Sequence, residues 1–157
     1  MNPAARKLQI VLVCGAKNAG KTQYLKEIHN RALKRGLKVG GFLSLAQTEN
    51  GLKTHYFVHL LHMGEQRLLA RYSAKPSHLK IGRYVFEPRT FEWAEHIVKQ
   101  QLGLPVLILD EFGPLEMEGK GWYALLLFLL RHYKGLLFIS VRPTLLRPLL
   151  ELIRNER

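Results

Sequence analysis

The octapeptide Gly15-Ala16-Lys17-Asn18-Ala19-Gly20-Lys21-Thr22 constrains this chain more than any other segment. It fits G-x-x-x-x-G-K-[ST] and directly follows an apolar run, Leu8 to Val13. That run predicts a strand. The residues from Thr22 to Arg35 predict a helix with Leu25, Ile28 and Leu33 as its apolar positions, Lys34 and Arg35 at its cation-favouring end, and Gly36 as its stop. A glycine-rich loop between strand and helix lets the backbone curl around phosphate oxygens, while its freed N–H groups and the helix N-terminus offer positive potential. The expected phosphate contacts are Gly15, Ala16, Lys17, Asn18, Ala19, Gly20, Lys21, Thr22 and Gln23. Lys21 adds a point charge for the β- and γ-phosphates, and the Thr22 hydroxyl is placed for Mg²⁺.

With 157 residues, 47% of them hydrophobic, the chain can bury one sizeable core, so residues 1–157 are read as a single domain. The lone Cys14 offers no internal disulfide, which suits a reducing cytoplasm, and it is expected to be a buried strand residue. Arg6-Lys7 followed by Leu8 to Cys14 is not read as a leader: Val13 is too large for a cleavage site, and a cut there would sever the loop from its strand. The apolar block Trp122 to Leu130 falls well short of the ~20 residues that cross a bilayer, so no membrane partner is expected.

The formal charge of +12 is large for this length, and Glu27 is the only acid before residue 49. Such a field attracts polyanions, so nucleic acid or an acidic partner is conceivable beside a purely solvated basic surface. The sequence leaves the oligomeric state open.

Leu37 to Ala46 reads as a second strand around Gly40-Gly41. Asn50-Gly51 is a hairpin turn signal, Thr54 to Leu61 and Gln66 to Tyr72 are rich in β-formers, and residues 43–72 are read as an antiparallel β-hairpin insertion. Ser73 to Lys80 is read as loop, Ile81 to Phe86 as a short extended piece, and Pro88 to Gln101 as a helix. Val106 to Leu109 and Leu136 to Val141 are continuous apolar runs, as strands covered on both faces would be. Helices Trp122 to Tyr133 and Leu145 to Ile153 complete an alternation that indicates a mainly parallel α/β sheet.

Asp110 and Glu111 end the Val106 run, where open α/β sheets bind their ligands. Asp110 can hold Mg²⁺ through water opposite Thr22, and Glu111 can orient or deprotonate an attacking water. Ser140, at the end of the next strand, is a candidate sensor of the γ-phosphate, and Arg142 a source of positive charge for the transition state. No [NT]-K-x-D segment follows, which disfavours a strictly guanine-specific switch. His55, His59 and His62 do not suit one metal ion. On a strand, residues four apart are separated by about 13 Å, and His62 points to the other face.

These residues resemble the nucleoside-triphosphatases of broad base specificity known as cancer-related or THEP-type. The likeness rests on the phosphate loop, Val39-Gly40-Gly41-Phe42, Ile81-Gly82-Arg83-Tyr84-Val85-Phe86 with Phe91 beyond it, and above all Asp110-Glu111-Phe112-Gly113-Pro114-Leu115-Glu116. It implies a RecA-like P-loop NTPase fold, a three-layer sandwich, and Mg²⁺-dependent hydrolysis of ATP, GTP and other NTPs; Glu116 joins the candidate site on this ground. The family loop usually carries Pro-Gly where this chain has Lys17-Asn18; Asn tolerates left-handed backbone, whereas Lys17 either reaches the γ-phosphate or points to solvent. Relatives generally continue into another strand beyond the point reached by Arg157, so the edge beside the phosphate-loop strand is expected to be open. Glu111 and Lys21 are the expected catalytic residues, with Thr22 and Asp110 at the metal. Two rival readings are a phosphotransferase with the hairpin insertion over its acceptor, and a module whose affinity for RNA or another partner is switched by nucleotide.

Overall fold

A computed structural model describes residues 6–73 and 80–157. In chain order its elements are β1 (Gln9–Cys14), α1 (Lys21–Lys34), β2 (Val39–Glu49), β3 (Leu52–Leu60), β4 (Gln66–Tyr72), β5 (Lys80–Ile81), β6 (Tyr84–Phe86), α2 (Pro88–Lys99), β7 (Val106–Phe112), α3 (Pro114–Met117), α4 (Tyr123–His132), β8 (Leu136–Val141) and α5 (Pro143–Glu156). The strands form one sheet in the order β1-β8-β7-β2-β3-β4-β6-β5. The first four are parallel, and from β2 outward every pairing is antiparallel.

Alternation along the parallel strands divides the core into two layers. Leu107 and Leu109 of β7 and Leu137 and Ile139 of β8 join α2, α4 and α5 in the larger cluster. Val106 and Ile108 pack with Leu25 and Ala32 of α1 on the opposite face. Both faces are covered, which is why β7 and β8 read as unbroken apolar runs. The three-layer α/β sandwich therefore follows the expected plan.

The antiparallel part differs from expectation in how it is attached. Residues 37–46 and the hairpin beginning at residue 43 are not separate pieces, because β2 runs unbroken through both. Its start, Val39 to Phe42, pairs with β7, and from Phe42 onward it pairs with β3. β2 outruns β7 while its other edge pairs with β3, and beyond the last β7 partner the Ser44 amide donates to the Asp110 side chain instead. Asn50 and Gly51, at φ 50° and 76°, form the two-residue turn. The antiparallel extension also reaches Phe86, beyond residue 72.

Two further expectations need correction, and one element was not foreseen. Cys14 is exposed because β1 is the edge of the described sheet, paired with β8 alone. Leu33 is 51% exposed, and Ala32 takes the inward position on α1. A short helix, α3, follows β7 where the sequence offered only Pro114 as a signal. Of the loop assigned to Ser73–Lys80, residues 74–79 lie outside the described residues. Among the described residues, no helix is long and apolar enough to cross a membrane.

Candidate active site

β1 delivers the loop to the carboxyl end of the parallel strands, where the Gly15 amide donates to the Val141 carbonyl of β8 at 3.2 Å. Asn18 adopts φ 63° and Gly20 φ 91°, so the left-handed turns fall where the sequence supplies a tolerant residue and a glycine. The Asn18 amide oxygen accepts from Lys53 Nζ of β3, which ties the loop to the hairpin. Lys21 Nζ donates to the carbonyls of Gly15 and Ala16 at 2.6 and 2.8 Å. Two of the three ammonium hydrogens thus hold the lysine over the loop, leaving one for a phosphate oxygen.

A cavity of about 550 Å³ opens there, lined by Lys17, Asn18, Gly20, Lys21, Thr22, Ser44, Lys53, Tyr56, Asp110, Glu111 and Arg142, among others. Gly15, Ala16, Ala19 and Gln23 are not in its wall. Gly15 and Ala16 hold Lys21, the Ala19 amide donates to the Ala16 carbonyl at 3.0 Å, and Gln23 is exposed on α1. Lys17 is exposed and contributes to the cavity wall.

Asp110 is 2% exposed, and both of its oxygens are engaged. Oδ2 accepts from Thr22 Oγ1 at 2.8 Å and from the Ser44 amide at 3.0 Å; Oδ1 accepts from Ser140 Oγ at 2.6 Å. Burial raises its pKa above the usual carboxylate value, against the opposing pull of the bonds from Ser140, Ser44 and Thr22. Ser140 is itself fully buried, bonded to Asp110, and does not line this cavity.

Glu111 is aimed differently. Where β7 passes β8, three steps from Leu109 to Phe112 oppose two from Ile139 to Val141, and this bulge falls on the acid pair. The Glu111 side chain is 36% exposed, and its Oε1 accepts from Arg142 Nε at 3.2 Å. Arg142 therefore positions Glu111 at the cavity as well as lending it positive charge.

Glu116 lies outside the phosphate cavity. It is 6% exposed, its Oε1 accepts from the Gly113 amide at 3.2 Å at the start of α3, and its Oε2 has no hydrogen-bond partner among the described residues. Burial pushes its pKa up to about 8. Lys53 and Tyr56 of β3 were not singled out from sequence, yet both face the phosphates' expected place. The only available signal was a lysine two positions past the Asn50-Gly51 turn. The His29 pKa is lowered by burial and then by His59. Among the described residues no group of three or more His, Cys, Asp or Glu side chains gathers for a metal ion.

The oxygen donors present suit magnesium, which favours one or two protein oxygens completed by water and phosphate. Thr22 Oγ1 and the Asp110 carboxylate meet at the cavity wall and would hold it.

A glycine loop springing from a parallel strand, with an acid pair at the end of a neighbouring strand, defines a phosphate-loop α/β protein. A family model described as NTPase matches residues 10–157, and the chain belongs to that family. It is 29% identical over 111 residues to the nucleoside-triphosphatase THEP1 of Caldivirga maquilingensis, a match covering 71% of this chain and 62% of that protein. The chain thus spans about three fifths of the length of that curated relative. In fold it is similar to the solution structure of a human cancer-related nucleoside triphosphatase, with a TM-score of 0.74 at 22% identity over 96% of this chain and 84% of that one. The crystal structure of THEP1 from Aquifex aeolicus gives a TM-score of 0.64 at 19% identity over 93% and 84%.

Proposed function

We propose that this chain hydrolyses nucleoside triphosphates to the diphosphate and orthophosphate in a Mg²⁺-dependent reaction. The observation that carries the reading is the contact between Thr22 and Asp110 across the phosphate cavity, with Lys21 on one side and Glu111 on the other. The free hydrogen of Lys21 Nζ and the loop amides bind the β- and γ-phosphates. Magnesium, when bound, neutralises phosphate charge, and Thr22 and Asp110 are the residues that hold it, with Ser140 and the Ser44 amide keeping the Asp110 carboxylate turned toward Thr22. Glu111, steadied by Arg142, orients a water and takes its proton. The water oxygen bonds to the γ-phosphorus while the bond to the β,γ-bridging oxygen breaks. Every direct contact to the nucleotide in this scheme is to phosphate, which accords with use of ATP, GTP and other NTPs. The single cysteine, Cys14, exposed and unpaired, accords with a reducing cytoplasm.

The test is orthophosphate release from ATP, GTP, CTP and UTP with and without Mg²⁺. Release from all four that requires the metal supports the reading; bound Mg·NTP with no release from any of them refutes it.

A further inference from the structure

A second cavity of about 450 Å³ opens from the acid pair, a size within the range of about 300–1,000 Å³ typical of small-molecule sites. It shares Lys17, Ser44, Tyr56, Asp110, Glu111 and Arg142 with the phosphate cavity, but neither Lys21 nor Thr22 lines it. It therefore extends from Glu111 away from α1. Its wall is built from six rings, those of Tyr56, Tyr72, Tyr84, Phe86, Phe91 and Trp122.

The rings hold one another in place. Tyr84 meets Tyr56 edge-on at 5.3 Å and Tyr72 edge-on at 6.3 Å, and Phe91 packs on Trp122 at 4.6 Å. The Tyr84 hydroxyl donates to the Lys53 carbonyl at 2.7 Å, fixing β6 against β3. A ring-lined space so braced is ready to receive a flat molecule without rearrangement. Besides Lys17, Asp110, Glu111 and Arg142, its polar lining includes the buried Glu116, the Arg83–Tyr72 pair and the Tyr56 hydroxyl, whose pKa burial pushes up to about 12 so that it keeps its proton.

In-line transfer requires the nucleophile to approach the γ-phosphorus from the side opposite the leaving diphosphate, which is the side where Glu111 works. Glu111 lines the ring-lined cavity as well, so that cavity adjoins the same base. We propose that it receives a second substrate, a hydroxyl-bearing heteroaromatic molecule of nucleoside size, whose hydroxyl takes the γ-phosphoryl group in place of water. This rests on the hydrolytic reading above, since it uses the same phosphate cavity and the same base. The acceptor oxygen forms the bond to the γ-phosphorus as the bond to the β,γ-bridging oxygen breaks. The hydroxyl proton passes to Glu111, and the diphosphate leaves with the electron pair. With water in the cavity the same steps yield orthophosphate.

The experiment uses ATP labelled on the γ-phosphate, Mg²⁺, and as acceptors adenosine, guanosine, cytidine, uridine and a hydroxymethylpyridine, separating labelled phosphomonoester from labelled orthophosphate. Leu52→Trp sets an indole at the cavity mouth from a position 45% exposed, outside the core. The expected result is a labelled ester with at least one acceptor, an ester-to-orthophosphate ratio that falls about tenfold in Leu52→Trp, and shifted Tyr84 and Trp122 ring resonances on acceptor addition. Orthophosphate as the sole labelled product with every acceptor overturns the acceptor site while leaving hydrolysis standing, even where an acceptor binds. Ester formation unchanged by Leu52→Trp, with no shift at Tyr84 or Trp122, also overturns it. Absence of any labelled product would instead strike the hydrolytic reading itself.

Discussion

Glu111 and Asp110 are chain neighbours with opposite surroundings. Asp110 is sealed in and accepts three hydrogen bonds, whereas Glu111 is one-third open and paired with Arg142. A group that must exchange a proton with water needs the second environment. Glu111→Gln is therefore expected to bind Mg·NTP normally by calorimetry while phosphate release falls by about 10²–10⁴; unchanged turnover would remove it from that role. Glu116 invites a different measurement. Its folded-state pKa of about 8 stands above the ordinary value of 4.5, so between these values the unfolded chain has released the proton that the folded chain retains. Stability from this group is complete below the lower value and declines as pH rises, by about 1.4 kcal/mol per pH unit across the window. The raised pKa of Asp110 acts in the same sense. Glu116→Gln should flatten the fall in urea midpoint over that window, and a midpoint profile identical to the parent would show that Glu116 is already ionised in the fold.

At the scale of the element, β2 is the decisive strand, since it belongs to the parallel sheet at one end and to the antiparallel extension at the other. Gly41 permits this: at φ 81° it lies so close to β7 that an added Cβ would overlap the Ile108 carbonyl, and its amide donates to the buried Gln101 side chain at 2.9 Å. Gly41→Ala should lower stability by about 3 kcal/mol or more, read as a fall in denaturant midpoint, and a loss below about 1 kcal/mol would mean that β2 can shift away from β7. Periodicity located the core strands and α1 because each buries a continuous stretch against a covered face. It could not show that β2 continues through its hairpin, because the change of partner at Phe42 leaves no mark in composition. The step from Leu33 to Ala32 on α1 follows the helix phase, since Ala32 lies two turns from the buried Leu25 and Leu33 is turned away from that face.

On the scale of the whole molecule, the net charge of +12 and the cations at the cavity, Lys17, Lys21, Lys53 and Arg142, create a field that draws in a polyphosphate anion. Raising ionic strength should lower kcat/KM for Mg·ATP chiefly through KM, since screening weakens approach more than it weakens close contacts. A kcat/KM indifferent to salt would assign the surplus charge to another partner. What the sequence determined by itself was local: a loop whose glycines and lysine shape a phosphate cradle, apolar runs that must be buried, and a turn at Asn50-Gly51. Each of these is a property of a few neighbouring residues. What only the tertiary structure decided was the company those residues keep. Ser140 stands behind Asp110, Arg142 beside Glu111, Lys53 against the loop, and six rings from five segments of the chain close around one cavity. These depend on strand order, on the β7 bulge and on the path of β2, and such contacts between residues far apart in the chain are fixed by how the sheet assembles, which no short window of sequence contains.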